Sequence, residues 1–74
     1  MNENQSMTFT IKELHIAIQI EFEQIKMLRH ELAKDELSSL EYIQLVDKLE
    51  SVENSIISKY RLLKTKYQQV ESTA

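Results

Sequence analysis

Apolar residues in the first half of the chain follow two periods at once. The stretch "HIAIQIEF", residues 15–22, alternates apolar and polar as a strand does, yet Ile11, Leu14, Ile18, Phe22, Ile25, Leu28 and Leu32 recur at threes and fours. At 100° per residue those seven fall in one helical stripe. Ile16, Ile20 and Met27 then lie roughly 160° to 180° from Ile18, on the far side of the same helix. The alternation is two helical faces interleaved. In the second half, Tyr42, Leu45, Leu49, Val52, Ile56, Tyr60, Leu63, Tyr67 and Val70 form another stripe, with one extra residue of drift between Ile56 and Tyr60.

Two segments carry helix-start chemistry, and they are built alike. In "FTIKEL", Thr10 can cap with its hydroxyl, Glu13 can reach back to close a capping box, and Phe9 can staple onto Leu14. In "LSSLEY", Ser38, Glu41, Leu37 and Tyr42 hold the same four roles. The chain has no glycine and no proline, so a sheet would have to turn on Asn, Asp and Ser alone. The spacing therefore predicts an all-α fold: a helix over about 10–33, the connection "KDEL" at 34–37, and a longer helix over about 38–69. A connection this short implies an antiparallel, coiled-coil-like hairpin. Residues 1–9 read as a flexible polar N-terminus, 10–70 as one domain and 71–74 as a tail. "KDEL" matches a retention signal read only at a C-terminus, and here it stands inside the chain.

Two apolar surfaces are left over. The first is the back row Ile16, Ile20 and Met27, set between Glu13, Glu23 and Glu31. Isolated exposed apolar residues are ordinary, but three in a row with a charged rim read as a contact surface. The second comes from length. At 1.5 Å per residue the helices span roughly 35 Å and 47 Å, so helix 2 is expected to overhang helix 1 beyond Tyr60. Leu63, Tyr67 and Val70 would then await a partner or be covered by the N-terminal segment through Met7 and Phe9. A two-helix seam buries its stripe side chains only incompletely, while every ordered residue costs conformational entropy. A lone hairpin is thus expected to be marginal and, when isolated, to form a homo-oligomer.

Composition removes several functions. The 74 residues carry a net charge of −3, spread along the chain, and no cysteine. Nothing there attracts nucleic acid or anionic membrane, or builds a thiolate metal site. The polar start "MNENQSMT" lacks a secretory pattern, and no apolar run reaches the ~20 residues of a membrane span. "HELAK" at His30 begins like a zinc-protease motif but has Lys34 where the second histidine belongs. His15 and His30 read as solvated flank residues, and Glu21 and Glu23 fall on different faces. The run Lys59, Arg61, Lys64 and Lys66 reads as complementing the negative end of the helix dipole. Neither catalytic residues, nor a cofactor, nor a metal site is expected.

The segment "LRHELAKDELSSLEYIQLVDKLESVENSIISKYRLLKTKY", with the acidic balance and the absence of cysteine, resembles the small co-chaperones of the type III secretion needle subunit. The likeness runs from about Ile11 to Tyr67 and rests on pattern and a tyrosine-rich second helix. It implies a bacterial cytoplasmic hairpin that binds and stabilises a larger, tetratricopeptide-like chaperone. Together the two would keep the needle subunit unpolymerised before export. The expected partner-binding residues are Ile16, Ile20, Met27, Tyr60, Leu63, Tyr67 and Val70. Two alternatives come from other classes. A hairpin regulator of a response regulator would need a Ser-Gln-Glu-Leu-Asp signature, of which "ESVENSIISKY" keeps only the apolar pair and the tyrosine. A homodimeric four-helix-bundle RNA binder would need a basic face.

Overall fold

The computed structural model describes residues 9–73, and among them it contains two helices and no strand. Helix α1 spans Ile11–Leu32 and helix α2 spans Ser39–Thr73. They pack on one another as an antiparallel hairpin with the second helix longer. Both capping boxes form. Thr10 Oγ1 accepts from the Glu13 N–H at 3.0 Å while the Thr10 N–H donates to Glu13 Oε1 at 2.8 Å. Ser38 and Glu41 repeat the exchange at 3.1 and 2.9 Å. Each box pairs backbone donors that a helix start leaves open. Among the described residues no φ is positive, so the connection over residues 33–38 turns without the left-handed conformation that would call for glycine. The expected cover through Met7 falls on residues outside those described.

The seam is more regular than the apolar residues alone indicate. Along α1 the inward positions are Ile11, Leu14, Ile18, Glu21, Ile25, Leu28 and Leu32, alternating threes and fours, and all are buried or half-buried. Along α2 they are Leu45, Leu49, Val52, Ile56, Lys59, Leu63 and Lys66, again alternating, again buried or half-buried. This is a heptad seam, in which two helices keep one narrow face together. Leu14, Ile18, Ile25, Ile56 and Leu63 form its buried core, with Ile11, Leu49, Val52 and Leu62 packed around them. Glu21 and Lys59 therefore stand where the apolar pattern expects Phe22 and Tyr60. Phe22 and Tyr60 are displaced by one residue onto the flank, where both are exposed.

The overhang lies at the opposite end from the one expected. His15 of α1 reaches Tyr67, Phe22 reaches Tyr60, and Ile11 shares a groove with Lys66 and Val70. These contacts set Leu32 near Leu49, so the first turns of α2 project past the end of α1 and expose Leu40, Tyr42 and Ile43. The expectation for Tyr60, Leu63, Tyr67 and Val70 as an uncovered extension is thereby corrected. The error is physical: it assumed that α2 starts level with the end of α1. The connecting residues instead carry the chain outward, since each can span about 3.3 Å, before α2 begins its return.

Candidate interaction surface

A hairpin of two helices is one layer thick, and this one measures 54 × 25 × 14 Å. Its radius of gyration is 16.3 Å, against about 11 Å for a compact domain of this length. Two broad faces are consequently left, one on each side of the seam.

On one broad face the flank residues of the two helices meet as aromatic pairs. Phe22 and Tyr60 have ring centroids 6.5 Å apart and tilted by 57°. One heptad along, His15 and Tyr67 sit 6.3 Å apart at 60°, and His15 Nε2 lies 3.2 Å from the Tyr67 hydroxyl. His15 is thus a partner of Tyr67 rather than only a solvated flank residue. Edge-on and tilted pairs let the positive rim of one ring meet the negative face of the other. Ile57 extends this apolar strip and is exposed, as are Phe22, Tyr60 and Tyr67.

Behind α1 stands the row Ile16, Ile20 and Met27, where Met27 keeps 68% of its surface in solvent. Gln24, Met27 and Leu28 of α1 line a shallow, largely apolar groove with Lys48, Ser51 and Val52 of α2. The sequence places this row correctly, because each member follows from the same 100° step that builds the seam. Leu63 differs from the rest of the expected set. It is 4% exposed and belongs to the core, so it is removed from the partner-binding residues. Tyr60, Tyr67 and Val70 stay exposed at the surface, the two tyrosines on the aromatic flank and Val70 at the α1 start.

Between the two faces, inside the seam, lies the cluster that the sequence reading missed. Glu21 Oε2 accepts from Ser55 Oγ at 2.6 Å and from Lys59 Nζ at 3.1 Å, and Lys59 Nζ also donates to Ser55 Oγ at 2.7 Å. The Glu21 and Lys59 side chains are 17% and 28% exposed. Glu21 Oε1 is buried with no hydrogen-bond partner. The role of Lys59 is therefore a seam ion pair, not complementing the helix dipole. A signal for it was present: strict three-four spacing from Ile18 and Ile56 lands on Glu21 and Lys59, two opposite charges.

Among the described residues, no group of His, Asp or Glu is placed to hold a metal ion. No helix there is long and apolar enough to cross a membrane. Comparison with family models, with curated proteins and with solved structures finds no match to the chain.

Proposed function

We propose that this hairpin is a non-catalytic binding subunit: a cytoplasmic type III secretion co-chaperone that binds and stabilises a tetratricopeptide-like chaperone and helps keep the needle subunit unpolymerised before export. One observation carries the reading. Ile16, Ile20 and Met27 form an exposed apolar row on a helix whose opposite stripe is already packed. Such a row gains nothing within a one-layer fold and gains apolar burial against a partner. A tetratricopeptide solenoid offers extended concave surface suited to an amphipathic helix. The identity of that partner rests on the resemblance of residues 11–67 to the needle-subunit co-chaperones.

The test is calorimetric titration of the purified chain against the tetratricopeptide-like needle chaperone of the same bacterium, with Ile20→Asp alongside. Wild type is expected to bind and to raise the melting temperature of the chaperone. Ile20→Asp is expected to abolish both while keeping its helicity. Binding that survives Ile20→Asp would remove the row from the interface, and no binding by wild type would refute the co-chaperone reading.

A further inference from the structure

The aromatic broad face is divided by charge. On its α1 half stand Lys12, Lys26 and Arg29, with His15, Gln19 and Phe22 between them and no acid. Its α2 half holds Glu50, Glu53 and Glu71, with Ile57, Tyr60 and Tyr67 between them and Lys64 as its one base. The cross-helix contacts fix the levels. Since Phe22 meets Tyr60 and His15 meets Tyr67, Arg29 stands level with Glu53, and Lys26 and Glu50 lie about one helical turn to either side of that level. At the other end Lys12 comes level with Glu71. These charges are not used inside the hairpin. Among the described residues the ion pairs are Lys34–Glu31 and Lys59–Glu21.

We propose that this face closes on a second copy of the chain, with the two-fold axis parallel to the rod, so that α1 of each copy lies antiparallel over α2 of the other. A rotation about the long axis preserves level. Arg29 of one protomer then meets Glu53 of its partner, with Lys26 and Glu50 one turn to either side of that pair, Lys12 meets Glu71, and all these contacts occur twice. Phe22, Ile57 and Tyr60 from both copies close together in the middle. The other two-fold arrangement, with its axis across the rod, lays α1 on α1 and sets bases against bases. Charge therefore selects the first, as complementary potentials select register in other interfaces. Along the 22 residues of α1 the two-helix face runs about 33 Å, and at a width of 25 Å it is of the order of the roughly 800 Å² per partner that a stable interface buries. The product is an antiparallel four-helix bundle, in which every neighbouring pair of helices runs antiparallel. Its back rows of Ile16, Ile20 and Met27 remain outward.

Sedimentation equilibrium of the full chain tests this. Wild type is expected to be a dimer that weakens as salt rises, because its charge contacts are attractive. The pair K26E/R29E, and separately E50K/E53K, should each weaken self-association by at least about tenfold, as the exposed charges that face one another in the dimer become like-signed on both sides. An equimolar mixture of the two variants should restore the dimer, since every altered contact then faces its opposite charge. Ile20→Asp should leave the dimer unchanged, so loss of chaperone binding and loss of dimer are separately readable. Wild type that is monomeric at every concentration would overturn the proposal. So would a dimer that salt strengthens, or variants that dimerise as wild type does. The salt series on wild type decides the matter even where a variant loses helicity.

Discussion

Replacing Glu21 and Lys59 together by leucine should stabilise the hairpin, whereas removing Lys59 alone should weaken it. In the single variant Lys59→Ala, the Glu21 carboxylate keeps the Ser55 hydroxyl and loses its cation, while its second oxygen is already buried without a partner. Breaking a fully buried pair costs about 3 to 5 kcal/mol. With 17% and 28% of the two side chains in solvent, water screens part of that, and a cost of about 1 to 2 kcal/mol is expected. The double leucine variant removes both charges and continues the apolar seam, and such exchanges are neutral or stabilising by about 1 to 4 kcal/mol. Urea unfolding followed by circular dichroism, at one fixed protein concentration and with Glu21→Leu and Lys59→Leu alongside, gives both values and the coupling between the sites. The reasoning fails if Lys59→Ala costs less than about 0.5 kcal/mol, the range of an ordinary surface substitution, and the two sites show no coupling. A second readout concerns specificity. An uninterrupted apolar seam should admit other registers and oligomers, so the double variant is expected to sediment as a mixture despite its greater stability.

Two further outcomes follow from the seam and the caps. Leu63→Ala should destabilise by about 2 to 5 kcal/mol, as buried leucine truncations do, read from the urea midpoint; an unchanged midpoint would return Leu63 to the surface. The Ser38 backbone N–H and hydroxyl hold the Glu41 carboxyl below the usual carboxylate range, so its stabilising contribution is complete above the ordinary glutamate pKa and is lost as pH falls through the lowered value. Glu41→Gln keeps the box acceptor without the titration, and should flatten the acid end of the helicity-against-pH curve; an unaltered curve would show that the cap does not titrate.

The hairpin was legible because its determinants are local. A capping box needs four consecutive residues, and both boxes stand where Thr10-to-Glu13 and Ser38-to-Glu41 place them. The back row is legible for the same reason, since Ile16, Ile20 and Met27 need only the helical step. The one-residue slip at Phe22 and Tyr60 has a different origin. An apolar pattern assigns the nearest apolar residue to the seam, and it cannot see that a glutamate and a lysine on different helices neutralise one another inside it. That information is non-local, because it depends on register. The overhang failed for a related reason: the level of α2 against α1 depends on the path of residues 33–38, which no stripe records.

Register also explains how one thin rod can offer two unlike surfaces. The Glu21–Lys59 layer interrupts a seam that is apolar at its other positions apart from Lys66, and a charged layer is satisfied only when the two side chains meet at one level. Sliding α2 by a heptad one way would set Glu21 against Val52 and Lys59 against Leu14, and the other way would leave Lys59 against Leu28, at a cost of several kcal/mol. The layer therefore holds Phe22 against Tyr60 and keeps Arg29 level with Glu53. On that side the paired rings and the opposed charges are self-complementary. Behind α1, the row Ile16, Ile20 and Met27 is edged by Glu13, Glu23 and Glu31, so a second copy placed there would bring glutamates against glutamates. The proposed partner of different composition would avoid that repulsion, and the row lies apart from the face proposed to close on a second copy.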